Sequence, residues 1–110
     1  MEERRTRKRI RIVSQLEIET SLTPGPINAF TVNLSREGIG FCCGKKIEEG
    51  SEIKIRIFFD HASKEKLQET VSGQVRWVKQ ISRIYEAGVL FSQNLNRTQH
   101  TNLLKQVGEL

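Results

Sequence analysis

The segment Ile53-Lys54-Ile55-Arg56-Ile57-Phe58-Phe59 constrains the fold more than any other stretch of the chain. Apolar residues at every second position, with cations between the isoleucines, put one face of an extended strand on a core and the other in water. A helix would scatter the same isoleucines around its circumference. The period of two recurs along the sequence. Ile10, Ile12, Leu16 and Ile18 fall at mostly even spacing among charged and polar residues. Residues 27–34 and 39–43 read as two further strands, joined by the tight turn Ser35-Arg36-Glu37-Gly38. Val71, Gly73, Val75 and Trp77 are in phase over 70–78, and Tyr85, Ala87, Val89 and Phe91 over 84–91, with Ser82-Arg83 as the turn between them. A glycine within a strand predicts a bulge or sharp bend at Gly73. Phe41, Phe59, Trp77 and Phe91 are expected in the core. From residue 94 the spacing becomes helical through Leu95, Leu103, Leu104 and Val107, with Asn94 or Asn96 as the cap.

Six short strands and a terminal helix point to an antiparallel barrel or sandwich. The 110 residues suit one domain, and a chain of that size buries enough surface to fold without a metal or disulfide staple. The two cysteines, Cys42 and Cys43, are adjacent, so a bond between them would be strained. They read as small thiols on a strand. The histidines His61 and His100 stand far from them, which leaves no metal-ligand spacing. No stretch approaches the ~20 apolar residues of a membrane span, and the charged start of the chain is not followed by the apolar run of a signal peptide. The expectation is a cytoplasmic protein without membrane insertion.

The net charge of +5 is concentrated. Arg4, Arg5, Arg7, Lys8, Arg9 and Arg11 face only Glu2 and Glu3, while the remainder of the chain is nearly neutral. Such a cluster attracts phosphates on nucleic acid, nucleotide or lipid, and it equally suits a solvated tail. Six like charges with little apolar content predict a flexible arm. Enzymatic signatures are missing: Asp60 beside His61 has no nucleophile motif near it, and there is no phosphate-binding glycine loop after a strand. The chain reads as a binding module and not an enzyme, with no cofactor.

Two segments carry the residue types of a ligand site. In Arg5-Thr6-Arg7-Lys8-Arg9 two arginines stand four residues apart, ~13 Å if extended. Their planar donor forks match phosphate oxygens and the edge of guanine, and they stack on bases. Arg7 and Arg11 have the same spacing. In Asn33-Leu34-Ser35-Arg36-Glu37-Gly38, an amide and a hydroxyl on alternate residues face the same side and can bond a base edge or phosphate. Glycine there admits a positive φ and close approach of a ligand. The same residues also suit a plain turn in which Asn33 and Ser35 satisfy the backbone.

Taken in order, Arg5 to Arg9, then Asn33 to Gly38 followed by Gly38-Ile39-Gly40-Phe41, then Val75-Arg76-Trp77 and Gly88-Val89-Leu90-Phe91, the chain resembles the PilZ domain family, whose signatures are RxxxR and [D/N]xSxxG. The resemblance implies an all-β fold, a six-stranded antiparallel β-barrel with a C-terminal α-helix. The arm would span 1–9, the barrel 10–92 and the helix 95–108. It also implies a receptor for the second messenger cyclic di-GMP. Arg5 and Arg9 would engage phosphate and guanine, Asn33 and Ser35 would bond base or phosphate, and Gly38 would shape the turn. Arg4, just before the first signature, would favour an intercalated ligand pair. Ligand binding would order the arm on the barrel and change the surface shown to an effector protein, in motility or biofilm regulation. The alternatives are a PilZ-like protein-interaction module without ligand binding, and a small nucleic-acid-binding barrel. The low aromatic content of 6% argues against the latter and against nucleic acid as a partner.

Overall fold

The computed structural model describes residues 15–59 and 67–108. Six strands, β1 (Gln15–Thr20), β2 (Ile27–Leu34), β3 (Gly38–Cys43), β4 (Glu52–Phe59), β5 (Leu67–Ile81) and β6 (Ile84–Phe91), are followed by one short helix, α1 (Thr101–Gln106). All pairings are antiparallel, and the order β1-β2-β3-β6-β5-β4 closes into a barrel. Closure leaves the sheet without the two long open edges a sandwich would carry. The expected residues Ile10 and Ile12 of the first strand, the polar loop 61–66 and the basic arm lie outside the described residues.

The alternating pattern is realised as one inward face. Leu16 and Ile18 of β1, Ile55 and Ile57 of β4, Val71 and Val75 of β5 and Phe41 of β3 are all essentially inaccessible to water. On the outer face the alternation places Arg56 between Glu17 and Glu19 of β1, at 2.6 and 2.8 Å. The hydrogen bond from Arg56, and its charge, hold the Glu19 carboxyl below its ordinary value of 4.5. Cys43 faces inward and Cys42 is half-buried. Burial pushes the Cys43 thiol up, against the lowering effect of a backbone hydrogen bond at Lys45.

The helix is shorter than the expected 95–108. Leu95 is buried, but residues 97–99 form a separate turn in which the Asn96 side chain accepts from the Gln99 amide at 2.8 Å. Asn96 therefore caps this turn and not the helix. The N–H groups that open α1 are met from the barrel: Glu69 of β5 accepts from Asn102 N at 2.7 Å and from Leu103 N at 2.9 Å. His100 is fully buried beside it, with Nε2 3.0 Å from the Thr70 carbonyl and Nδ1 accepting from Asn96 N at 3.1 Å. Acceptance at Nδ1 puts the proton on Nε2, which donates to Thr70. Leu103 and Leu104 complete the docking by burial against the core. Among the described residues, no helix is long and apolar enough to cross a membrane.

Candidate functional site

The second, third, fifth and sixth strands carry a shallow depression of about 270 Å³ on the outer barrel surface. Asn33, Ser35 and Gly38 line it, so the structure brings together the three described residues of the expected site. Arg4, Arg5 and Arg9 lie outside the described residues. Arg76 and Trp77 line the depression from the opposite side.

Two β-bulges build this surface. Along β2 the inward residues are Ile27, Ala29 and Thr31, and a regular strand would turn Asn33 inward as well. The ladder to β3 slips between Thr31 and Asn33, so that Val32 and Asn33 together oppose Gly40. The extra residue reverses the phase: Asn33 turns outward and Leu34 packs on the core. On β5 the inward residues Val71, Gly73 and Val75 lead to a slip between Val75 and Trp77, and Arg76 and Trp77 together oppose Gly88. Trp77 is turned out, at 42% exposure, and Val78 packs on the core in its place. The expectation of a core tryptophan is corrected by this bulge. The expectation of a bulge at Gly73 is corrected too, because Gly73 sits in regular register with Ile53 and Phe91.

Since Gly40 pairs with Gly88, one outer row runs Asn33, Gly40, Gly88, Trp77 across four strands. The two glycines leave the floor of the row bare, and the flanking side chains lie over it. A Cβ on Gly88 would stand 2.2 Å from Trp77 Nε1, and one on Gly40 would stand 2.9 Å from Asn33 Oδ1. The indole thus lies flat against backbone with its other face available for stacking, beside an amide that makes no side-chain hydrogen bond to another described residue. A planar, hydrogen-bonding ligand such as a nucleobase matches this pair chemically.

Ser35 serves the turn. Its Oγ accepts from the N–H groups of Glu37 and Gly38, both at 3.2 Å, and its own N–H donates to the Gly38 carbonyl at 2.9 Å. Gly38 does not have the positive φ that the turn reading expected. Its need for glycine is close approach: a Cβ there would fall 2.1 Å from the Val89 carbonyl oxygen of β6. Sequence reasoning assigned neither Arg76 nor Trp77 to the site. The signal available was the Val75-Arg76-Trp77 triplet, which was read as strand and core.

The PilZ domain family model matches residues 3–109, so the chain belongs to the PilZ domain family. Its fold is similar to that of the Bacillus subtilis inhibitor of motility (MotI/DgrA), with a TM-score of 0.67 and 17% identity, over 87% of this chain and 46% of that one. This chain therefore spans less than half the length of that structure. No curated protein matches the chain.

Proposed function

We propose that this chain is a non-enzymatic cyclic di-GMP receptor that acts in the cytoplasm through an effector protein. The observation that carries the reading is the depression in which Asn33, Ser35 and Gly38 meet the exposed Trp77 and Arg76. Guanine stacks on the indole and bonds to Asn33. Arg5 and Arg9 engage phosphate and guanine from the N-terminal arm, and Arg4 extends the site to a ligand pair. The course of β1 supports this assignment. Gln15 pairs with Phe30, and β1 is antiparallel to β2, so the chain preceding Gln15 heads toward the Asn33 end of β2. Asn33 is three residues beyond Phe30, ~10 Å along the strand. The six residues from Arg9 to Gln15 reach up to ~20 Å, enough to bring Arg9 over the depression. Ligand binding orders the arm on this face and presents a changed surface to the effector. The likeness to an inhibitor of motility makes motility the first process to test.

Calorimetric titration with cyclic di-GMP at ~0.15 M salt, where exposed charges are largely screened, tests the proposal. Saturable binding that is lost in Arg5→Ala, Arg9→Ala and Trp77→Ala, and that GMP does not reproduce, is expected. Two ligands per chain is the expected stoichiometry, and one would remove the role given to Arg4. Absence of binding in the wild type would refute the receptor reading.

A further inference from the structure

The fifth strand outruns its neighbour. β4 pairs with β5 only as far as Glu52 opposite Gln74, and the last backbone bonds on that side are those of Val75 with Gly50 and Ser51, at 2.8 and 2.9 Å. From Trp77 to Ile81 the strand is paired with β6 alone. Among the described residues nothing bonds the opposite edge of this five-residue segment. Alternation along the ladder identifies the groups left over. Val75 directs its N–H and C=O toward the β4 side. At the other end the two-residue turn Ser82-Arg83, with Ser82 at φ 59°, makes Ile81 and Ile84 a hydrogen-bonded pair. Lys79 then also bonds toward β6, and the N–H and C=O groups of Val78 and Gln80 point away from the barrel sheet.

The side chains beside this edge are sorted by face. Outward stand Trp77, Lys79 and Ile81, with Ile81 and its partner Ile84 at 48% and 47% exposure. Inward, Val78 and Gln80 line a depression of about 340 Å³ with Ile47, Glu48 and Tyr85. Added strand backbone would therefore meet two free residues' worth of bonding groups, a row for outward side chains and a recess for inward ones.

We propose that the Trp77–Ile81 edge is a docking strand for an extended segment of a partner protein with the pattern apolar–x–acidic–x–apolar. The acidic residue lies opposite Lys79 and the apolar residues lie beside Trp77 and Ile81. Charge selects this occupant. On the ribbon Arg76, Lys79 and Arg83 outnumber Glu86 opposite Lys79, while Lys46, Glu48 and Glu49 line the recess behind the edge and bear on the inward side chains of the added strand. A second copy of this chain is disfavoured by the same residue: antiparallel self-pairing that uses Val78 and Gln80 of both copies sets Lys79 opposite Lys79, which destabilises the pair and guards the edge. The inference rests on strand register and charge; because Arg76 and Trp77 also line the neighbouring depression, the test is made without nucleotide.

The test is an NMR titration of the full chain, without nucleotide, using a seven-residue peptide that alternates valine and threonine around a central glutamate, and its counterpart with central lysine. The glutamate peptide is expected to shift and protect the Val78 and Gln80 amides and to bind about 10-fold more tightly than the lysine peptide. Lys79→Glu is expected to reverse that preference. Gln80→Pro removes an N–H that takes no part in the barrel ladder and is expected to abolish binding while the spectrum of the core is retained. Equal binding of both peptides, perturbation confined to other strands, no perturbation at millimolar peptide, or self-association of the chain through this edge would each overturn the proposal.

Discussion

Gly38 and Gly88 are both crowded, but by different things, and substitution by alanine separates them. At Gly38 the new Cβ meets the Val89 carbonyl oxygen at 2.1 Å, with the Val89 carbonyl carbon at 3.2 Å behind it. Backbone in a closed barrel cannot swing aside, so β3 and β6 must part by roughly 1 Å at this rung. Overpacking of this kind costs about 1–3 kcal/mol, and weakening a ladder hydrogen bond adds about 1 kcal/mol. Gly38→Ala is therefore expected to lose roughly 2–4 kcal/mol. For a domain of this size that lowers Tm by about 8–16 °C. At Gly88 the three atoms nearest the Cβ all belong to the indole of Trp77, a residue 42% exposed whose ring has solvent to swing into. Replacing a strand glycine recovers about 0.5–1 kcal/mol, which offsets the lost indole contact. Gly88→Ala should melt within about 4 °C of the wild type. Trp77 is the single tryptophan, so its emission reports the displacement directly, and a red shift is expected in Gly88→Ala. Thermal melts by circular dichroism with fluorescence on the same samples make the measurement. A Gly38→Ala melt within 2 °C of the wild type, or a Gly88→Ala protein that is the less stable of the two, would refute the reasoning that backbone contact dominates one site and a mobile ring the other.

Three further outcomes follow from the geometry. Glu69→Ala removes the acceptor of the Asn102 and Leu103 amides and should cost about 1.5–3 kcal/mol, with faster hydrogen exchange at those two amides than in the barrel strands. The folded Glu19 carboxyl sits below 4.5, so its contribution is present above that pH and is lost as pH falls through the depressed value. The stability advantage of wild type over Glu19→Gln, followed by denaturant melts, should accordingly vanish in acid and persist at neutrality. An alkylating reagent at neutral pH should modify Cys42 before Cys43, because Cys43 is buried and its thiol is held in the protonated form, and mass spectrometry of the peptides would show the order.

Much of the barrel was legible because its strands keep strict period over whole elements. The bounds 27–34 and 84–91 read from the sequence coincide with β2 and β6. In β4 the isoleucines fall where the pattern places them. Legibility ended where a contact distant in sequence decides the outcome. The helix start depends on Glu69, more than thirty residues earlier, and the true limits of β5 depend on how far β4 and β6 run beside it. Neither is written in the local pattern of 95–108 or 70–78.

The site was half legible for a deeper reason. Asn33, Ser35 and Gly38 sit near a turn, and turn chemistry is local. Trp77 was misread because a period-two reading carries it inward with Val71, Gly73 and Val75, and only the bulge at Arg76 turns it out. Bulges marked by glycine can be anticipated, but Val32 and Arg76 are ordinary strand residues, and the glycines stand across the ladder at Gly40 and Gly88. The two slips have to be considered together. Each reverses the phase of one flanking strand, each is opposed by a glycine of a central strand, and those glycines pair with one another. Pairing either strand regularly with all its residues kept would return an amide or an indole to the core, where Asn33 would need a buried partner and Trp77 would compete with the inward side chains. Deleting Val32 or Arg76 takes out the extra residue itself, so Asn33 then follows inward Thr31, Trp77 follows inward Val75, and both stay outward in a regular strand. The Arg76 deletion is therefore expected to fold with Trp77 emission close to that of the wild type. A blue-shifted, buried tryptophan in the Arg76 deletion would mean that the bulge does not set the phase of β5.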